Sequence, residues 1–157
     1  LTGMPSTPLE QLKQLLVEEL STLPGIRHAP DKPTEQLNDF PALIVYSDSG
    51  TYKLETHSGS PRRQGTFTGQ HIIRIELHVE RRNLQDDVAR ADPYGDLIAT
   101  ALIERFAEDC FDHLVTRLVE LRYNFRALDW GDSETTGWRF QLEVVINEEI
   151  VRGTPSS

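Results

Sequence analysis

The stretch QHIIRIELHVER, from Gln70 to Arg81, decides the fold. Its residues alternate between apolar and polar, which is the pattern of a β-strand with one buried face. The buried face would carry the apolar side chains of Ile73, Ile75, Leu77 and Val79. The opposite face would carry the polar side chains of Arg74, Glu76, His78 and Glu80. We expect this polar face to meet either solvent or another subunit.

Two amphipathic helices accompany this strand. The first opens with a capping box at residues 7–10, and its leucines recur every three or four residues. The second opens at Asp92-Pro93, where an N-cap residue precedes a proline in the first helical position. The predicted helices span about 8–23 and 92–109, with a short helical turn at 84–88 before the second.

Three further strands are predicted. Residues 42–46 form a short apolar run, which is typical of a buried strand. Residues 121–127 and 138–146 alternate between apolar and polar in the same way as the first strand. The turn region 129–137 lies between them, so these two strands are predicted to form an antiparallel hairpin.

A long polar stretch, residues 48–69, precedes the deciding strand. It contains five glycine or proline residues and few apolar ones, so we interpret it as a loop. Loops of this length without structure of their own are generally functional or mobile. The tail, residues 153–157, is expected to be frayed.

The predicted order of elements is αββαββ. It indicates an α+β fold, with two helices packed on one face of a mainly antiparallel or mixed sheet. The 157 residues fit a single domain with an ordered core of about 8–150.

Composition narrows the class of protein. Asp and Glu number 25 against 16 Lys and Arg, and the net charge of −9 disfavours a dedicated nucleic-acid-binding module or docking on an acidic membrane. The single cysteine, Cys110, excludes an internal disulfide and a cysteine zinc cage. No apolar run approaches the ~20 residues that span a bilayer, and the first residues lack the pattern of a signal peptide.

No catalytic or metal-binding signature stands out. Cys110 and His113 lack a third orienting group nearby, so we expect the thiol to be packed and the imidazole exposed. His71 and His78 are an odd number of residues apart on one strand, so they point to opposite faces and cannot bind one metal ion together. The carboxylates of Asp86-Asp87 and of 129–134 lie in predicted turns and are expected to cap backbone groups. We therefore expect no enzyme, no metal and no cofactor.

Five residues are candidates for a subunit or partner interface: Arg62, Arg63, Arg81, Arg82 and Trp130. The two arginine pairs either are solvated or pair with carboxylates of a neighbouring subunit, where they would set register more than affinity. Trp130 is a candidate for an exposed anchor, whereas Trp138 falls on the core face.

Five stretches of the chain carry a resemblance to a known family: Pro41–Tyr46, His71–Val79, Asp92–Tyr94, Leu128–Gly131 and Thr136–Phe140. They resemble the tail terminator (minor tail) proteins of long-tailed bacteriophages. The resemblance covers roughly residues 8–147 and consists of fold-level patterns without a catalytic signature.

This resemblance implies a structural virion protein. Members of the family assemble into a ring, commonly a hexamer, that caps the tail tube, ends its growth and joins the tail to the head. The implied partners are further copies of the chain, the major tail tube protein and a head–neck connector protein. No membrane or specific nucleic-acid binding is implied, although genome DNA would pass through the ring. The protein would lie at the neck-proximal end of the tail in the virion, and in the host cytoplasm during assembly.

Two alternatives stay open on the residues alone. One is a related neck or head-completion protein, which shares the same fold-level patterns. The other is a small-molecule-binding or regulatory α+β domain, which would require a pocket.

Overall fold

The computed structural model describes residues 7–30, 36–55 and 64–151. Two helices and four strands follow one another in the predicted order αββαββ. They are α1 (Pro8–Ser21), β1 (Ala42–Glu55), β2 (Gln64–Glu80), α2 (Leu84–Asp109), β3 (Arg117–Trp130) and β4 (Ser133–Val151). The strands form one sheet in the order β1-β2-β4-β3, and every neighbouring pair is antiparallel. The α+β prediction is confirmed. Neither helix is long and apolar enough to cross a membrane.

Both helices lie on the same face of the sheet. The main buried cluster combines Leu12, Leu16 and Leu20 of α1, Ile98, Leu102 and Phe106 of α2, Ile73, Ile75 and Leu77 of β2, and Phe140, Leu142 and Val144 of β4. Alternate residues of a strand share a face, so these side chains define the covered face of the sheet. Each buried side chain of this size stabilises the fold by about 1.5–3 kcal/mol.

The stretch 48–69 is mostly strand, so its interpretation as one long loop was wrong. β1 continues to Glu55 and β2 begins at Gln64; the connection between them, residues 56–63, lies outside the described residues. The glycines that suggested a loop stand beside aromatic rings. A Cβ on Gly50 would lie 2.8 Å from His71 Nδ1, and one on Gly69 would lie 2.6 Å from His71 Nε2. These glycines therefore make room for a buried ring within a paired strand.

Helix α2 begins eight residues earlier than predicted, at Leu84. Asn83 is its N-cap, and the Asn83 side chain accepts a hydrogen bond of 3.0 Å from the amide of Asp86. Pro93 lies inside the helix and not at its start. Trp138 contacts the helix on both sides of this proline: its indole donates to the carbonyl of Ala91 at 2.8 Å, and its ring lies where a Cβ on Gly95 would be only 2.9 Å away.

The β3–β4 hairpin is confirmed, but its turn is shorter than the predicted 129–137. Strand β3 ends at Trp130 and β4 begins at Ser133, which leaves only Gly131 and Asp132 between them. Gly131 adopts a positive φ of 57°, the left-handed conformation in which glycine is favoured. Farther along β4, a Cβ on Gly137 would collide with the backbone carbonyl of Leu77, so β4 approaches β2 closely there.

A left-handed turn follows α2. Cys110, Phe111, Asp112 and His113 all have φ between 51° and 62°. Phe111 is fully buried in the main cluster, and this packing offsets the cost of holding four non-glycine residues in that conformation.

Candidate functional site

The sheet face opposite the helices contains an arginine-lined cleft of about 320 Å³. Its lining residues come from three adjacent strands: Arg74 of β2, Arg139 and Gln141 of β4, and Arg122, Tyr123, Asn124 and Arg126 of β3. We call this the arginine cleft. It concentrates positive charge on a chain whose net charge is −9.

The register of the sheet explains how these side chains meet. Arg74 and Arg122 both lie opposite Gln141, one on each side of β4. Arg139 is two residues away from Gln141, so it faces the same side of the sheet. Arg126 lies opposite Gly137, where no side chain separates it from the cleft. The cleft thus depends on β4 lying between β2 and β3.

Three of the four arginines have carboxylate partners in the same subunit. Arg139 Nε donates to Glu76 Oε2 at 2.9 Å, and Arg122 Nε lies 3.0 Å from Glu120 Oε1. Arg74 Nε lies 3.4 Å from an oxygen of Asp48. The Arg122 side chain is 69% exposed, so its ion pair is largely solvated and contributes little to stability.

A buried polar network adjoins the cleft through Arg139. Glu76 is 1% exposed, and its Oε2 also accepts the Tyr46 hydroxyl at 2.7 Å. His78 is fully buried, with Nε2 3.0 Å from Glu76 Oε1. On the other side of the ring, His78 Nδ1 lies 2.6 Å from the hydroxyl oxygen of Thr135, and that hydroxyl also lies 2.9 Å from the carbonyl oxygen of Leu128.

This network sets the ionisation of two of its members. Burial alone would raise the pKa of Glu76, but hydrogen bonds from His78 and Tyr46 and the nearby charge of Arg139 together hold that pKa below its ordinary value of 4.5. Burial raises the pKa of Tyr46, and its hydrogen bond to Glu76 raises it further. The carboxylate is therefore charged and the phenol neutral at pH 7.

The polar sheet face is only partly open. At one end of it, Leu37 forms a second buried cluster with Ala42 and Ile44, against which Trp130 packs. Ser133 Oγ holds this segment in place, because it accepts from the amide of Leu37 at 3.2 Å. This cover takes Glu76 and His78 out of solvent, whereas the arginine end of the same face is open.

The structure places the predicted interface residues apart from the cleft. Arg81 donates from Nη2 to the carbonyl of Thr135 at 2.7 Å and pairs with Asp129 at 3.0 Å. Arg82 is exposed and lies 3.3 Å from a carboxylate oxygen of Glu80. Trp130, expected as an exposed anchor, is half-buried. Its ring centroid lies 5.4 Å from that of Tyr46 and 6.1 Å from that of His78.

Arg62 and Arg63 fall outside the described residues. A partner contact for the four predicted arginines remains a prediction. The cleft arginines, Arg74, Arg122, Arg126 and Arg139, were missed by the sequence analysis. The sequence showed the polar faces of the three strands that carry these arginines. It did not show the strand order that brings those faces together.

The residues considered for chemistry remain scattered. Cys110 is half-buried, with its thiol 3.3 Å from the carbonyl of Phe106, whereas His113 is exposed. His71 and His78 lie on opposite faces of β2, as their spacing predicts. No group of three or more His, Cys, Asp or Glu residues that could hold a metal ion occurs in 7–30, 36–55 or 64–151.

The predicted carboxylate clusters bind groups of the same subunit. Asp87 is buried and accepts from the amide of Arg82 at 3.0 Å, from Arg90 at 2.6 Å and from the Thr136 hydroxyl at 3.1 Å. It thereby joins the first turn of α2 to β4. Asp129 is exposed and pairs with Arg81.

Comparison with protein-family models and with curated proteins finds no match for this chain.

Proposed function

We propose that this chain is a structural subunit that assembles into a ring at the end of a bacteriophage tail tube. The ring would stop growth of the tube and present the surface that joins the tail to the head–neck connector. The proposal starts from the resemblance of residues 8–147 to tail terminator proteins, and the shape and charge of the subunit support it.

The arginine cleft is the observation that carries the proposal. A ring subunit needs a surface that is not covered by the subunit itself and that recognises another protein. Arginines aligned on adjacent strands suit recognition of carboxylates. The main core is complete without covering this end of the sheet, so the open face is available for assembly. The exposed position of Arg126 agrees with a contact that forms only between molecules.

Two measurements test the ring. The native mass should approach six times 17.9 kDa, about 107 kDa. Purified tail tubes mixed with the protein should show a cap at one end by electron microscopy, and tubes mixed with an unrelated acidic protein of the same size should not. A chain that stays monomeric and leaves both tube ends bare contradicts the proposal.

A second function, a domain that binds a small anion, is favoured by the volume of the cleft. About 320 Å³ lined by four arginines could hold a phosphate or a dicarboxylate. Such a ligand would raise the melting temperature in proportion to the logarithm of its concentration. A rise that disappears in an Arg122→Gln, Arg126→Gln variant, without any assembly, would favour this function over the ring.

A further inference from the structure

The positive charge of the arginine cleft is only partly balanced within the subunit, where Arg74 is paired with Asp48. Arg139 is paired with buried Glu76, and Arg122 with exposed Glu120. No carboxylate of the described residues lies within 4.0 Å of Arg126. The four guanidinium groups carry like charges within one cleft, so an external anion bound among them would reduce their mutual repulsion.

The outer surface of α2 carries the opposite charge. Every fourth residue from 92 to 108 is exposed, and four of these five are acidic: Asp92, Asp96, Glu104 and Glu108. We call these four the acidic stripe. Residues four apart on a helix are neighbours, so Asp92 repels Asp96 and Glu104 repels Glu108. None of its carboxylates lies within 4.0 Å of a cationic side chain among the described residues.

The cleft and the stripe lie on opposite sides of the subunit. The stripe is on the outer surface of the helix layer, whereas the cleft is on the sheet face that the helices do not cover. Asp96 of the stripe contacts a lining residue of the cleft in the same copy, because it accepts from the Tyr123 hydroxyl at 3.5 Å; the contact between copies is therefore assigned to Glu104 and Glu108. A contact between the cleft of one copy and the stripe of the next is head-to-tail, which is the kind of contact that generates a ring when the rotation closes.

We infer that the arginine cleft of one subunit binds the acidic stripe on α2 of a second copy of this chain. The inference rests on the proposed ring and names the two surfaces that join its subunits. Arg122 and Arg126 are the exposed arginines of the cleft, and their guanidinium groups donate to the carboxylates of Glu104 and Glu108 of the second copy.

Two charge-reversal variants test the contact. The cleft variant carries Arg122→Glu with Arg126→Glu, and the stripe variant carries Glu104→Arg with Glu108→Arg. Each variant alone should self-associate ~100-fold or more weakly than the wild type in sedimentation equilibrium, because like charges then face each other. An equimolar mixture should restore association to near the wild-type level. In it, each reversed cleft meets a reversed stripe and each unchanged cleft an unchanged stripe.

Matched controls separate this contact from net charge. Arg27→Glu with Arg117→Glu changes the charge by the same amount on exposed residues outside the cleft. Glu18→Arg with Glu134→Arg does the same for exposed acidic residues outside the stripe. Both control variants should associate as the wild type does.

Several outcomes would overturn the inference. They are a wild-type chain that is monomeric up to ~1 mM, a cleft or stripe variant that associates normally, or a mixture that does not recover. Duplex DNA binding that is lost in the cleft variant would also overturn it, by identifying a nucleic acid as the occupant. If a reversed variant does not fold, the neutral pairs Arg122→Gln, Arg126→Gln and Glu104→Gln, Glu108→Gln replace it. They should weaken association ~10-fold each.

Tail-tube capping is scored separately and decides the proposed function. A wild type that caps tubes, together with variants that cap equally well, leaves the proposed function intact and refutes the contact. Association that is lost in each variant and restored by mixing, without capping by the wild type, supports the contact and refutes the tail-terminator role.

Discussion

Glu76 offers a sharp test of the buried network, and we predict that Glu76→Gln destabilises the fold by about 3–5 kcal/mol at pH 7. The side chain is 1% exposed and touches Tyr46, His78 and Arg139 within 3.0 Å. Removing its charge leaves fully buried His78 without the carboxylate. The Arg139 side chain is 25% exposed, so water screens part of its loss and favours the lower end of the range.

Urea-induced unfolding measures this loss. A slope of about 2 kcal/mol per molar urea converts 3 kcal/mol into a fall of ~1.5 M in the unfolding midpoint. The corresponding fall in melting temperature is ~6–12 °C for a chain of this size. The control is Glu120→Gln, which removes an exposed ion pair of 3.0 Å with Arg122 and should change stability by less than ~1 kcal/mol.

The pH dependence gives the decisive outcome. The pKa of Glu76 lies below its ordinary value of 4.5, so the stability that its charge contributes is complete above that value and is lost as the pH falls through the folded-state pKa. The gap between wild type and Glu76→Gln should therefore be full at pH 7 and narrow below pH 4.5. The reasoning is refuted if the gap at pH 7 is no larger than that of Glu120→Gln, or if it does not narrow in acid.

Three further changes have defined outcomes. The wild type should lose stability above pH ~10, because the pKa of Tyr46 is raised in the folded state and the phenol therefore ionises first in the unfolded chain. Tyr46→Phe should lose less stability over this range, and melting curves from pH 8 to 11 measure the difference. Gly137→Ala should cost about 2–3 kcal/mol in urea unfolding, since its Cβ would collide with the carbonyl of Leu77; a loss below ~1 kcal/mol would contradict the close approach of β4 to β2. Cys110→Ser and His113→Ala should leave native mass and tube capping unchanged, because the proposed ring uses neither side chain; loss of assembly by a folded variant would assign them a role.

Patterns of neighbouring residues in the sequence predicted those helices and strands whose formation depends on neighbouring residues. Alternation identified residues 70–80 of β2 but missed its first six residues, and the capping box placed the start of α1, where the Thr7 hydroxyl accepts from the amide of Glu10 at 3.2 Å. The β3–β4 hairpin followed from a turn between two alternating runs. Each of these signals lies within about ten residues of the structure it specifies.

The errors arose where distant residues override local preference. Gly50 and Gly69 were interpreted as loop residues, but they accommodate the ring of His71 within paired strands. Asp92-Pro93 has the pattern of a helix start, yet α2 continues through it because Trp138 of β4 contacts the helix before the proline, at Ala91, and after it, at Gly95. In both cases the deciding contact comes from another segment of the chain, which a local pattern cannot reveal.

The arginine cleft was missed for the same reason on a larger scale. The polar sides of β2, β3 and β4 were visible in the sequence, but the hairpin prediction paired only β3 with β4. The pairing of β2 with β4 joins residues 64–80 to residues 135–151. Without that long-range pairing, the side chains of Arg74 and Arg139 belong to separate strands with no reason to share a cleft.

Arg139 connects the buried network to the open cleft. Because of this connection, measurements of stability and measurements of association should respond differently to the variants. Its Nε is held by Glu76, so its guanidinium is already ordered in the free subunit and less side-chain entropy is lost when a partner binds. A change at Glu76 therefore lowers stability and also loosens one wall of the cleft. Arg122 and Arg126 lie outside the network, so reversing their charges alters recognition while the fold stays intact. If the cleft is rigid because it is built on a buried ion pair, only the change at Glu76 should lower stability. Changes at Glu76 and at Arg122 with Arg126 should both weaken association.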